Sequence, residues 1–552
     1  MLQTRERVRE EQKGVVAYTS VWDVVDTWKN EFDAEETAIT VSNMGAGTSA
    51  QPPGTGTSSS KRVNNASSSL GQYLLSSTFY FDTTRYVLAY KKVANKVRLV
   101  ATTMPNYAKL LRRFLENPLN SMPFLTANAP EFKLGTRLMM ERMEELGLME
   151  NDFLWDEEKK IAAMVLMNNE MGLPWAETEK GRFCEDYFSP VVFPVIKYIP
   201  WCKKSLPIPP GIREQVIELI KQKVATGIYE PSNSSYRHLW FCVAKKDGCV
   251  CIVHNLGPLN EVTVKDAAQP PLIDQYAKQC SACSIYTALD LFVGYDHRTT
   301  HPDFHDVTTF DTPLGTHRLT VLPQGWTGSL SIFHNDVAFI LQDETEIAPN
   351  FSDDITVLGP KTRYEKEGGG YEVLRENPGV WRFVWEHLLD VNRILHCLKH
   401  AGATIAAKKL FLGKPEIIVV GQQATYEGCV PDKSNIIKIQ TWLPCKNVLE
   451  VRGFLGMAGM VRLWIRGFAE MAHPLVNLTK KGVGFKREEE EQQAMDDLKT
   501  AVISCPTIRP IDYQKPYPVI LEVDSSVIAA GYILTQDDEK GRCWPSCFGS
   551  IS

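Results

Sequence analysis

The sequence predicts an α+β fold from three observations. Short strand-like runs end in aspartates, as in Ile285-Tyr286-Thr287-Ala288-Leu289-Asp290 and Val519-Ile520-Leu521-Glu522-Val523-Asp524. A carboxylate pair, Asp353-Asp354, sits among apolar residues, with Pro349 before it and Gly359-Pro360 after it. Elsewhere apolar residues recur at helical spacing: Ile212, Val216, Leu219, Ile220 and Val224, then Phe383, Val384, His387, Leu388, Val391, Ile394, Leu395 and Leu398.

Around the pair, Phe351, Asp353, Ile355 and Val357 alternate with period two, so two strands should meet at a tight turn holding Asp353 and Asp354. Adjacent buried aspartates repel, and a hard cation such as Mg²⁺, which prefers carboxylate and phosphate oxygens, makes the pair tolerable. A solvated turn is the competing reading for an isolated Asp-Asp. A third aspartate, Asp290, closes a buried strand upstream and is followed by Gly294-Tyr295. Between the two elements lies Leu322-Pro323-Gln324-Gly325-Trp326-Thr327-Gly328-Ser329.

At 552 residues the chain is long enough for several domains, and 44% hydrophobic with 23% charged residues is ordinary for globular protein. No apolar run approaches a membrane span, and the N-terminus lacks the apolar core of a secretory signal. Thirteen cysteines without a paired framework suit a reducing compartment. The expectation is an intracellular protein, cytoplasmic or nuclear, neither secreted nor membrane-bound. Cys280-x-x-Cys283 has no second pair at ligand spacing and reads as ordinary thiols rather than zinc ligands. The net charge of −6 opposes a generally basic nucleic-acid binder, so basicity must be local. Residues 431–481 carry eight Lys/Arg against three Asp/Glu and supply it, unless they are simply a solvated helical face.

The chain divides into an N-terminal segment (1–42), a Gly/Ser/Thr/Pro/Asn-rich disordered linker (43–70) and a helical region (71–204). Within the last, residues 133–150 and 156–172 are expected as amphipathic helices. Pro207-Ile208-Pro209-Pro210 opens the next part, and Gly227 stands where a helix C-terminal cap belongs. Trp240-Phe241-Cys242-Val243 and Val250-Cys251-Ile252-Val253 flank Lys245-Lys246-Asp247-Gly248, a hairpin signal. Residues 361–380 are a polar, Gly-rich insertion, residues 431–481 read as helical, and Glu488 to Glu491 open one more helix. Neither Asp-Thr-Gly nor Asp-Ser-Gly occurs, nor does a Gly-x4-Gly-Lys-Ser/Thr loop, so neither an aspartic protease motif nor a P-loop is present.

In this order and spacing, Asp290, Pro323-Gln324-Gly325-Trp326 and Asp353-Asp354 resemble a reverse transcriptase palm. Ser234-Ser235-Tyr236-Arg237-His238-Leu239-Trp240-Phe241-Cys242 and Glu450-Val451-Arg452-Gly453-Phe454-Leu455-Gly456 resemble gypsy-type long-terminal-repeat retrotransposon polyproteins of fungal type. The likeness runs from residue 205 to the end and is looser before it. It implies a right-hand polymerase: fingers and palm over 205–430, thumb and connection over 431–515, and a truncated RNase H-like domain over 516–552. The implied activity is RNA-directed DNA polymerisation on a primed RNA or DNA template with deoxynucleoside triphosphates and two Mg²⁺ ions. Asp290, Asp353 and Asp354 would hold the metals. Gln324 and Gly325 would contact the incoming nucleotide, Tyr295 would lie under its sugar and exclude a 2′-hydroxyl, and Lys245 or Lys246 would reach the triphosphate. Lys408 or Lys409 would protonate pyrophosphate, with a solvated pair as the alternative. Arg452, Arg462 and Arg466 would grip the nucleic-acid backbone.

The sequence also departs from that family. Arg-Ile-Val-His-Asp in its fingers is Cys251-Ile252-Val253-His254-Asn255 here, Ser352 replaces a large or apolar residue, and Leu330 replaces a frequent Pro. A thiol cannot stand in for a guanidinium on phosphate. Only Asp524 of the RNase H carboxylates is present, so no RNase H activity is expected. Two further readings follow: a catalytically dead relic that only binds nucleic acid, or a fossil element that is not expressed.

Overall fold

A computed structural model describes residues 102–244, 250–266 and 268–551. The readings of residues 1–42 and 43–70, and of Lys245 and Lys246, lie outside the described residues. The first elements are α1 (Met140–Glu145), α2 (Asp156–Asn168), α3 (Arg213–Ala225) and β1 (Tyr229–Pro231). The hairpin β2 (Leu239–Ala244) and β3 (Val250–Asn255) follows, then α4 (Gly257–Val262), α5 (Ile273–Gln279) and β4 (Tyr286–Asp290). Next come β5 (Phe310–Thr312), β6 (Gly315–Leu319), α6 (Ser329–Ile340), β7 (Asn350–Phe351) and β8 (Asp354–Leu358). The chain continues through α7 (Arg382–His400), β9 (Phe411–Lys414), β10 (Glu416–Val419), β11 (Gln422–Thr425) and β12 (Gly428–Pro431). It closes with α8 (Lys433–Gln440), α9 (Val448–Gly459), α10 (Phe468–Leu478), α11 (Glu489–Ile503), β13 (Val519–Ser525), β14 (Ala530–Asp537) and β15 (Cys543–Ile551).

The central antiparallel sheet has the order β7-β8-β4-β9. The 19-residue α7 packs against it through Phe383, Val384, Leu388, Val391 and Ile394, all buried on one stripe. Gly402, at φ +84°, follows that helix, a conformation that favours glycine. Beside the sheet, α3 supports a small unit of β1, β6, β5 and the β2–β3 hairpin, around Val216, Ile220, Trp240, Phe310 and Leu319. Helices α8 to α11 enclose a separate core that includes Phe454, Trp464, Leu475 and Leu498. The C-terminal sheet β13-β14-β15 leaves β13 exposed along its whole length.

Residues 102–204 differ from the helical region expected there. Only α1 and α2 are α-helical, and the remainder is extended or in single 3-10 turns. One cause is local: the Glu170 carboxylate accepts the backbone N–H groups of Thr136, Arg137 and Leu138 and holds them out of a helix. The segment also shares its core with the central sheet. Leu138, Ile161, Phe183 and Phe193 are buried in one cluster with Leu289, Phe333 and Ile355. A buried ion triad ties the two together. Asp336, with no exposed surface, binds Arg112 Nε at 2.6 Å through one oxygen and Arg298 Nε at 2.7 Å through the other.

Candidate active site

Asp290 ends β4 directly opposite Asp354, the first residue of β8. The β7–β8 hairpin is closed by Ser352 and Asp353, so only one aspartate of the pair sits in the turn. The other already belongs to the ladder, because register is set by pairing with β4. Ser352 is buried at φ +59°, a left-handed conformation that is sterically costly for any residue with a β-carbon. Its amide and the Asn350 side-chain amide both reach Nδ1 of His334, at 3.4 and 3.1 Å. Burial lowers the pKa of His334 and so favours the neutral imidazole that accepts both bonds. The Asp353 carbonyl accepts the amide of Leu291 at 3.1 Å, fixing the turn against the end of β4.

The electrostatics record three negative charges brought together. Burial, then the charges of Asp353 and Asp290, push the Asp354 carboxyl up to about 6, although its side chain also reaches solvent at the rim. Burial also raises Asp353, with Asp290 adding to the effect; its own backbone amide and the nearby Ser352 side chain oppose it. The Ser352 hydroxyl has no partner at hydrogen-bond distance, so its influence there is weak. Lys409 is the compensating cation. It stands at the end of the 3-10 turn Ala407–Lys409, and its Nζ lies 2.8 Å from Asp290 Oδ2. That bond is the first cause of the raised Lys409 pKa. Lys408 turns away toward Glu145, at 3.6 Å.

These residues suit a hard cation in kind and placement: three carboxylates meet at one end of the central β4–β8 strand pair, and burial and mutual repulsion raise two of them, which a cation would relieve. Among the described residues no three His, Cys, Asp or Glu side chains converge as a finished cage.

Tyr295 lies on the 3-10 turn Gly294–His297, its ring 5.2 Å from that of Phe333. Gly294 packs tightly there: a β-carbon would sit 3.0 Å from the Phe333 ring and 3.2 Å from Asp353 Cβ. Gln324 and Gly325 are exposed on the turn that leads into α6. Gly325 has φ +99°, and Asn260 straps the turn by donating to the Gly325 carbonyl at 2.9 Å and accepting the Thr327 amide at 2.8 Å. Trp326 anchors it through Thr263, at 3.0 Å. Helix α6 then carries Phe333 and His334 beneath the carboxylate hairpin. Asn260 and His334 escaped the sequence reading, since each works through tertiary placement and lies in no motif. On the hairpin, Val250 and Ile252 face the unit's core. Cys251 pairs with exposed Val243 and lies on the opposite, open face, as does exposed Val253.

The three arginines separate. Arg452 donates to the Thr479 carbonyl at 3.0 Å and so caps α10. Arg462 is exposed at the start of a 3-10 turn. Arg466 lines a groove of about 430 Å³ between the start of α10 and the C-terminal sheet, where Glu522, Asp524 and Ser525 also lie. Among the described residues no helix is long and apolar enough to cross a membrane.

Residues 488–552 match the family described as an RNase H-like domain found in reverse transcriptase, so the match takes in α11 as well as the C-terminal sheet. The chain is 28% identical over 344 residues to the Transposon Tf2-3 polyprotein of Schizosaccharomyces pombe, covering 62% of this chain and 24% of that one. The Tf2-7 polyprotein of the same organism is 27% identical over 343 residues, with the same coverage. The chain thus spans about a quarter of the length of the curated relatives it matches. Among solved structures, the foamy viral protease-reverse transcriptase dRH in complex with double-stranded DNA superposes with a TM-score of 0.65 at 20% identity, covering 76% of this chain and 69% of that chain. The foamy viral protease-reverse transcriptase in complex with RNA/DNA hybrid gives 0.62 at 19% identity, with coverage of 76% and 53%. The chain therefore resembles fungal gypsy-type retrotransposon polyproteins, and its α+β fold is similar to that of reverse transcriptases.

Proposed function

We propose that the chain is an RNA-directed DNA polymerase acting on a primed RNA or DNA template. The observation that carries this reading is the meeting of Asp290, Asp353 and Asp354 at one end of the central β4–β8 strand pair, with Lys409 beside them. In this reading the central sheet is the palm, the unit around β2 and β3 the fingers, and α8 to α11 the thumb and connection. The three aspartates would hold two Mg²⁺ ions, which when bound activate a primer hydroxyl and neutralise the pyrophosphate leaving group. Lys409 holds a proton at Nζ on the same side and can give it to the leaving group once Asp290 is otherwise neutralised. Tyr295, backed by Phe333, presents a rigid wall to the nucleotide sugar. The strapped Gln324-Gly325 turn presents its exposed edge to the nucleotide, and Lys245 or Lys246 would reach the triphosphate. Arg462 and Arg466 would meet the duplex backbone by charge.

A binding-only reading is favoured by Cys251, which puts a weak thiol donor on the open hairpin face where the family carries a guanidinium. Primer extension on a homopolymer template with purified protein, Mg²⁺ and deoxynucleotides separates the two. Extension that depends on Asp290 supports the polymerase. Salt-sensitive duplex binding without extension leaves the binding-only chain.

A further inference from the structure

The turn that carries Tyr295 is held from two sides. On the inner side Gly294 is wedged against Phe333 and Asp353. On the outer side Asp296 points into a cluster of buried charge. Its Oδ2 lies 2.7 Å from Lys180 Nζ and 2.9 Å from Lys223 Nζ. Lys180 also binds Glu177 at 2.9 Å, and Lys223 approaches the same carboxylate at 3.6 Å. The side chain of Lys180 is 3% exposed and that of Asp296 is 13% exposed, so solvent screens these pairs little.

The three parts come from distant stretches. Lys223 lies in the last turn of α3, in the hairpin-bearing unit, and Lys180 follows the 3-10 turn Glu177–Glu179. The turn itself contains a strained residue: Val293, immediately before Gly294, has φ +51°, which a β-branched side chain rarely adopts. Such a conformation persists only where its surroundings over-determine it. His297 supplies part of that hold, with Nδ1 on the Gly294 carbonyl at 3.0 Å and Nε2 on Thr404 Oγ1 at 2.7 Å. The ion cluster adds a hold from the other side, and through Lys223 it joins the turn to α3.

We infer that Asp296 is a positioning residue for nucleotide sugar selection: by gripping Lys180 and Lys223 together it fixes the Tyr295 turn to the hairpin unit and sets the gap between the tyrosine ring and the sugar. This rests on the polymerase reading. Replacing the carboxylate by an amide keeps its size but leaves two buried ammonium groups to share Glu177. The turn is then free to relax the strain at Val293, and Tyr295 moves with it. Lost positioning of this kind acts on which nucleotide fits, more than on the rate at which a correctly seated one reacts.

The test is single-nucleotide incorporation with deoxy- and ribonucleotides by the parent protein, Asp296→Asn, Asp296→Glu and Lys223→Met, with a thermal melt of each. The expected result for Asp296→Asn is a deoxy-over-ribo preference narrowed roughly ten- to a hundred-fold, through KM, with deoxynucleotide kcat changed by no more than about two-fold. Asp296→Glu should retain most of the preference. Lys223→Met leaves Lys180 between two carboxylates, so it carries the test if Asp296→Asn fails to fold, with a smaller change in the same direction. An unchanged preference in a variant that melts like the parent overturns the inference. A parent protein that incorporates neither nucleotide overturns the polymerase reading, and the inference with it.

Discussion

Asp354→Asn should stabilise the metal-free protein while abolishing primer extension. The parent carboxyl is held at about 6, against an ordinary 3.8, by burial and by the charges of Asp353 and Asp290. Two pH units correspond to ~3 kcal/mol at 1.36 kcal/mol per unit. Asp354 stands at the exposed rim, so solvent screening reduces the usable figure to about 1–2 kcal/mol. The sign follows from proton linkage. Between pH 3.8 and about 6 the folded protein holds a proton that the unfolded chain has lost, so stability falls as pH rises through this window. Above it the full penalty remains. Asparagine carries no charge, so Asp354→Asn in chelator should melt above the parent at pH 7.5, and the gain should shrink toward pH 5. Adding Mg²⁺ should raise the parent's melting temperature more than the variant's. Melting scans across pH 5–8, with and without Mg²⁺, read both effects. A variant that melts at or below the parent at pH 7.5 in chelator would refute the argument that Asp290, Asp353 and Asp354 crowd one another beyond what Lys409 offsets.

Asp290→Asn and Asp353→Asn should each eliminate extension and leave duplex binding nearly unchanged, checked by extension and filter binding; near-parent extension in both would remove the site assignment. Asp336→Asn leaves Arg112 and Arg298 without their shared carboxylate and should cost about 3–5 kcal/mol in a denaturant titration. Cys251→Arg should improve nucleotide use roughly ten-fold in kcat/KM without lowering the melting temperature, because Cys251 is on the open hairpin face; single-nucleotide kinetics decide it. Arg466→Ala should reduce the log–log salt slope of hybrid binding by about one, whereas Arg452→Ala, which uncaps α10, should chiefly lower stability; binding titrations at several salt concentrations separate them.

Elements whose signal is periodic were legible in the sequence. The apolar repeat from Phe383 to Leu398 is α7 and the repeat from Val216 to Val224 lies in α3; a hairpin does form around Asp353, but Phe351 pairs with Asp354 and so faces away from Ile355 and Val357. Pairing was not legible. That Asp354 faces Asp290 across two strands depends on register between segments more than sixty residues apart in the chain, which no local pattern encodes. The choice between Lys408 and Lys409 was open for the same reason, since a 3-10 turn decides which lysine faces the carboxylates. Asp296, His334 and Asp336 sit in no motif at all. Each earns its position from partners contributed by distant segments, and a single sequence cannot display those.

The core shared between residues 102–204 and the central sheet bears on how this polypeptide can be divided. Leu138, Ile161, Phe183 and Phe193 form one face of the apolar layer that buries Leu289, Phe333 and Ile355. A fragment beginning at residue 205 would therefore expose the face of that layer these residues cover and leave Asp336 with one arginine instead of two. Exposed apolar surface of that extent favours association between molecules over a folded monomer. The carboxylate hairpin stands on this layer, so the natural unit for proteolysis, truncation or domain exchange starts well before the first recognisable motif. A cut at the motif boundary would sever the floor on which the three aspartates rest.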